Sequence, residues 1–85
     1  MDDTWANRDF PVLVKVVELM DEATGEEVLL QHVASVLDMD IVDVGRAAVA
    51  LNEEFIHLRK GGLPHTWSVT GVTPGARRAT GQWPK

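Results

Sequence analysis

Helical periodicity is clearest between Phe10 and Met20, where Phe10, Leu13, Val14, Val17 and Met20 recur at spacings that would form one buried stripe. Asp9 and Pro11 mark the start of this helix, because a proline in the first turn forfeits no hydrogen bond. The pattern predicts an end at about Asp21. Ala23 to Glu27 breaks the periodicity and reads as a polar turn. The apolar run Val28-Leu29-Leu30 is too brief for periodicity to assign it to strand or helix. From Gln31 to Leu37 a second helix would bury Val33, Ala34 and Leu37. Asp38-Met39-Asp40 predicts a tight turn, and Asp40 caps a third helix whose buried positions Val44, Ala48 and Leu51 fall on one face.

After Glu54 the period changes from helix to strand. Phe55 to Arg59 alternates, with Ile56 and Leu58 on one face; Lys60-Gly61-Gly62 is a turn; His65 to Thr70 alternates again. These runs predict a β-hairpin whose tip is lengthened by Leu63-Pro64, since proline cannot donate to a strand ladder. Thr73 and Pro74 supply the N-cap and first residue of a short last helix, ended by Gly81. The expected order is helix, short strand, helix, helix, hairpin, helix.

The segment Val28 to Leu51, V-L-L-Q-H-V-A-S-V-L-D-M-D-I-V-D-V-G-R-A-A-V-A-L, resembles the helix-turn-helix core of bacterial winged-helix proteins, with Val33-Ala34, Leu37, Val44, Ala48 and Leu51 at its apolar positions. The hairpin and the segment V-T-G-V-T-P-G-A-R-R-A are similar to the wing and post-wing helix of the MarR and PadR regulator families, and R-R-A-T-G-Q-W-P resembles small bacterial winged-helix domains of unassigned role. The resemblance implies an α+β winged helix-turn-helix fold: a three-helix core, a short strand, a β-hairpin wing and a short post-wing helix. It covers residues 1–85 as a single domain, with the helix-turn-helix at about 31–52, the wing at about 55–70 and the post-wing helix at about 74–81. It also implies a transcription regulator or accessory factor that contacts duplex DNA, with terminal elements available for a homodimer.

Two features depart from the family pattern. Asn52-Glu53-Glu54-Phe55 supplies no glycine between the third helix and the wing, which predicts a shorter or tighter corner. The exposed face of the third helix, with Val42, Asp43, Gly45, Arg46 and Val49, offers one arginine where a major-groove reader needs several side chains that bond base edges. Asp40 and Asp43 would face phosphates unless they pair with Arg46.

A chain of 85 residues allows one small domain with a thin core, which dimerisation would help to stabilise. With 45% hydrophobic and 25% charged residues the composition is that of a globular chain. Cysteine is absent from the sequence, which excludes disulfide scaffolds, thiol nucleophiles and Cys-containing zinc sites. No apolar run approaches the ~20 residues of a membrane span, and Met1-Asp2-Asp3 is the opposite of a basic signal-peptide start. A cytoplasmic chain without a membrane partner is expected.

The net charge of −5 excludes a uniformly basic nucleic-acid protein. Its distribution is uneven. All thirteen acids lie at or before Glu54, with only Arg8, Lys15 and Arg46 against them, whereas Arg59, Lys60, Arg77, Arg78 and Lys85 follow with no acid. This asymmetry suits a polyanion or head-to-tail contact with an acidic surface, and equally the solvation of helices and a hairpin. Arg59, Lys60, Gly61, Gly62 and His65 make the wing the leading candidate DNA contact, because glycines let a hairpin tip approach a phosphate backbone closely. Arg46, Arg77 and Arg78 complete the candidate DNA-binding set, although Arg77 has an alternative partner among the acids of the first helix. The plain alternative is an edge hairpin protected by its charges.

The competing reading is a protein-interaction module that docks through the acidic and apolar helical face, with Val42, Asp43 and Val49 as its contacts. Trp67 reads as core or as a platform against the last helix. Trp5 and Trp83 lie near the two ends and read as packing or dimer contacts. His32, His57 and His65 fall on different elements in no metal-binding spacing, Ser35 and Ser68 sit in no nucleophile elbow, and Glu26-Glu27 and Glu53-Glu54 read as solvated neighbours. A domain this small has little room for an enclosed substrate pocket. The expectation is a non-enzymatic chain with no metal, cofactor or small-molecule substrate.

Overall fold

A computed structural model of the chain describes residues 4–23 and 26–82. The described part is α+β, with four α-helices and a three-stranded antiparallel sheet.

The first helical segment begins earlier than the sequence pattern suggests. A wide turn at Trp5–Asp9, in which the Phe10 N–H reaches back to the Trp5 carbonyl, leads directly into α1 (Phe10–Ala23). Pro11 has no N–H to give to the preceding turn, and widening that turn relieves the clash of its ring with the backbone. Asp9 is therefore inside the helix and not its cap. It is buried, and its Oδ1 accepts a 2.8 Å hydrogen bond from Arg8 Nε. The helix continues two residues past the expected end at Asp21. Its buried face is also wider than the expected stripe. Val12, Leu13, Val16, Val17 and Met20 are buried, whereas Phe10 and Val14 are half-buried. The phase shifts because α1 packs against α2, α3 and α4 at once, so Val12 and Val16 find cover as well.

Val28 and Leu29 resolve as a strand, β1 (Val28–Leu29), and Leu30 opens α2 (Leu30–Leu37). Leu30, Val33 and Ala34 are buried; Leu37 packs on the core only partly covered. Asp38 ends α2 in the left-handed conformation at φ 55°. Asp40 then caps α3 (Ile41–Leu51), its side chain accepting the Val42 N–H at 2.8 Å. The buried face of α3 carries Val44, Ala48 and Leu51, together with Ala47. Gly45, expected to face solvent, lies on the outer face with Val42 and Val49 but is buried there beneath Pro64 and Trp67 of the hairpin tip.

The corner after α3 solves the missing glycine with an asparagine. Asn52 Oδ1 accepts the N–H groups of Glu53 and Leu58 at 3.0 and 3.1 Å, and Glu53 adopts φ 76°, the left-handed conformation a glycine would take more easily. The chain then enters β2 (Ile56–Arg59) and returns as β3 (Ser68–Val72). β3 lies between β1 and β2, with Val69 opposite both Val28 and Leu58, and a bulge at Thr70 of β3 shifts the register between His57 and Leu58.

The second strand does not run from His65 to Thr70 as its alternation suggests. Pro64–Thr66 forms a single tight helical turn, fixed by the Thr66 hydroxyl donating to the Leu63 carbonyl at 2.6 Å and the Trp67 N–H to the Pro64 carbonyl at 3.1 Å. His65 and Thr66 belong to that turn and Trp67 to the connection, so the hairpin tip is longer and β3 extends to Val72. The last helix, α4 (Pro74–Thr80), is capped by Thr73, whose Oγ1 accepts the Ala76 N–H at 3.2 Å and donates to the Glu54 carbonyl at 2.7 Å. Gly81 closes it at φ 71°. Among the described residues, no helix is long and apolar enough to cross a membrane.

Candidate docking groove and basic hairpin

Val42 and Val49 stand two turns apart on α3 and are 48% and 46% exposed, a large fraction for β-branched apolar side chains. Between them lies Gly45. Its bare backbone lets the hairpin tip fold back onto α3. Pro64 and Trp67 thereby become the opposite wall of a groove of about 270 Å³, lined by Val42, Gly45, Arg46, Val49, Pro64 and Trp67.

Trp67 is held on several sides. Its carbonyl accepts the Leu30 N–H at 3.0 Å, its indole Nε1 donates to the Gly61 carbonyl at 3.3 Å, and Lys60 Nζ lies 5.5 Å from the ring centroid. Of the two expected roles, core or platform against the last helix, the ring takes the first in part: it is half-buried against the core, and the contacts that hold it are with Gly45 of α3 and the tip of its own hairpin.

The expected basic set is drawn into several environments. Arg59 Nη1 bonds Glu27 Oε1 at 2.8 Å, and the other oxygen of Glu27 accepts the Ser68 hydroxyl at 3.2 Å. The Arg59 hydrogen bond lowers the pKa of the Glu27 carboxyl. Arg77 takes the alternative partner on the first helix. It grips Asp21 through both nitrogens, at 2.7 and 3.1 Å, and also bonds the Gln82 carbonyl at 3.3 Å. Their hydrogen bond lowers the pKa of Asp21 and raises that of Arg77. Lys60, Gly61, Gly62, His65 and Arg78 are exposed. Arg46 is exposed in the groove wall, and among the described residues no carboxylate lies within ion-pair distance of it. Asp43 is exposed on α3 and does not line the groove.

A second, larger depression of about 450 Å³ lies where α1, β1 and α2 meet, bordered by Leu19, Glu22, Glu27, Leu29 and His32. Glu27 is already committed to Arg59 and Ser68 there. Among the described residues, no group of three or more His, Asp or Glu side chains is arranged to hold a metal ion. Trp5 packs its ring 5.6 Å from those of Phe10 and Phe55, while Trp83 lies outside the described residues.

The structure thus keeps Val42 and Val49 together, as the interaction reading requires, and adds Pro64 and Trp67, which sequence reasoning missed. The available signals were a glycine inside a helical pattern and a proline three residues before a tryptophan. Comparisons with protein-family models, with curated proteins and with solved structures gave no match.

Proposed function

We propose that the chain is a winged helix-turn-helix domain that works as a protein-docking module through the groove between α3 and the hairpin tip. The element order and the β1-β3-β2 sheet, with the hairpin following α3, support the winged-helix reading. The docking reading rests on one observation: the outer face of α3, where a DNA reader places base-bonding side chains, presents Val42 and Val49 against Pro64 and Trp67. Exposed apolar side chains converging on one groove are what a hydrophobic anchor needs. Selecting a random linear-peptide library on the immobilised chain tests it. One apolar motif should be enriched, and Val49→Glu should abolish its capture while leaving the melting temperature unchanged. Absence of an enriched motif contradicts the reading.

The second reading is contact with duplex DNA through the hairpin, favoured by the exposed cations Arg46, Lys60 and Arg78. Against it, the two other cations that would help, Arg59 and Arg77, are paired with acids of the same chain. Only about three phosphates would be neutralised, giving a log–log salt slope of about −3. NMR titration with mixed-sequence duplex at low salt separates the readings. Shifts spreading from Arg59 to His65 support DNA, and their absence removes it.

A further inference from the structure

We infer that the groove receives a short linear segment that inserts one bulky apolar side chain and flanks it with carboxylates. This rests on the docking reading above and adds the chemistry of the occupant.

Size decides first between a folded partner and a peptide. A stable interface between folded proteins takes about 20–30 residues from each side. The groove offers six lining residues and about 270 Å³, less than the ~300–1,000 Å³ typical of drug-sized ligand sites. That is room for one anchoring side chain, so a second folded copy of the chain is disfavoured as occupant. The anchor would sit between Val42 and Val49 on one wall and Pro64 and Trp67, seated on Gly45, on the other.

Charge decides what stands beside the anchor. The groove wall contains one charged side chain, Arg46, exposed and without a carboxylate partner among the described residues. Lys60 does not line the groove, but its Nζ lies 5.5 Å from the centroid of the Trp67 ring that does. A lining guanidinium, with an ammonium beside the opposite wall, selects carboxylates flanking the anchor, and the planar guanidinium of Arg46 can receive a carboxylate through two parallel bonds. The anchor supplies most of the affinity, and the charged rim supplies choice of partner.

The same charges disfavour a polyanion. Duplex DNA carries one charge per ~1.7 Å of axis, and laid along α3 it would meet the exposed Asp40 and Asp43 as well as Arg46. A short segment brings a few carboxylates to the cationic rim only, within the ~8 Å over which charges act at physiological salt.

The experiment uses the intact chain, labelled for amide NMR, and four blocked synthetic peptides. Three carry a central Leu-Phe pair flanked by Glu, by Gln or by Lys; the fourth carries Ala-Ala flanked by Glu. The Glu-flanked Leu-Phe peptide should shift the amides of Val42, Gly45, Arg46 and Val49 and the Trp67 indole N–H, and bind about tenfold more tightly than the Gln-flanked one at low salt. Arg46→Gln should erase most of that preference, weakening the Glu-flanked peptide about tenfold and the Gln-flanked one much less. Equal affinity for the Glu- and Gln-flanked peptides, or preference for the Lys-flanked one, overturns the carboxylate assignment while the docking reading stands. Tight binding of the Ala-Ala peptide overturns the apolar anchor. If no Leu-Phe peptide shifts the groove while mixed-sequence duplex DNA does, the docking reading falls with it.

Discussion

A Cβ placed on Gly45 would stand 3.3 Å from Pro64 Cβ and 3.7 Å from the Trp67 ring. The hairpin tip is thus seated against bare helix backbone, and this close approach builds the groove. Glycine inside a helix costs about 1 kcal/mol relative to alanine, so Gly45→Ala gains helix propensity and loses some fit against Pro64. Because Pro64 belongs to a short surface turn that can yield slightly, the two effects should cancel to within about 1 kcal/mol in denaturant unfolding. Gly45→Leu would push Pro64 and Trp67 off α3 and so dismantle the groove. It should abolish peptide binding with helix content retained by circular dichroism; retained binding would place the site elsewhere.

Glu53 holds φ 76° without being glycine, next to an asparagine that fixes the corner with two hydrogen bonds. A left-handed conformation costs an ordinary residue about 1 kcal/mol. Glu53→Gly should therefore raise unfolding free energy slightly, by up to about 0.5 kcal/mol after allowing for the greater freedom of glycine in the unfolded chain. Asn52→Ala should lower it by about 1 kcal/mol, since it removes the side-chain acceptor of the Leu58 N–H, while the Glu53 N–H keeps its 2.8 Å bond to the Ile56 carbonyl. Chemical denaturation of both variants measures the pair, and a destabilised Glu53→Gly would contradict the strained corner.

The Arg77–Asp21 pair fastens α4 to the end of α1. Its hydrogen bond holds the Asp21 carboxyl below its ordinary range, so the folded state binds that proton less readily than the unfolded chain does. The stabilisation is present above the unfolded value near pH 4 and is lost as pH falls through the folded one. Asp21→Asn should cost at most about 1 kcal/mol at neutral pH, because the pair is partly solvent-screened. The difference from wild type should shrink below about pH 4. A cost independent of pH would assign the effect to packing instead.

Core positions should separate by burial. Leu51 is 1% exposed between α3 and the rest of the core, and Leu51→Ala should cost about 3–4 kcal/mol. Leu37 is only partly covered, and Leu37→Ala should cost about 1–2 kcal/mol. Equal losses in thermal unfolding would mean that Leu37 is more enclosed than its position at the end of α2 shows.

Much of the fold was legible because its boundaries are local. Asp40 before α3, Thr73-Pro74 before α4 and Gly81 after it act through bonds to residues within one turn, and the sequence displays both partners. The buried phase of α1 was less legible, since Val12, Leu13, Val14, Val16 and Val17 are all apolar and only the surrounding helices choose among them. The alternation at His65–Thr70 misled for a related reason: Pro64 starts a tight turn that consumes the first residues of the apparent strand. Of the candidate site, Val42 and Val49 follow from helical spacing alone. The groove's other wall depends on Pro64 and Trp67 returning across Gly45, a long-range contact with no periodic signature. The pairing of Arg59 with Glu27, which removes a cation from the expected basic wing, is long-range in the same way.

The peptide groove proposed between the outer face of α3 and the hairpin tip is tested most directly by an amide and indole NMR map of the chain, titrated separately with the Glu-flanked Leu-Phe peptide and with mixed-sequence duplex DNA. Saturable peptide shifts confined to Val42, Gly45, Arg46, Val49 and Trp67 are expected, with little change on adding DNA. Shifts from DNA across Arg59 to His65 and at Arg78, with none from the peptide, would contradict the proposed groove.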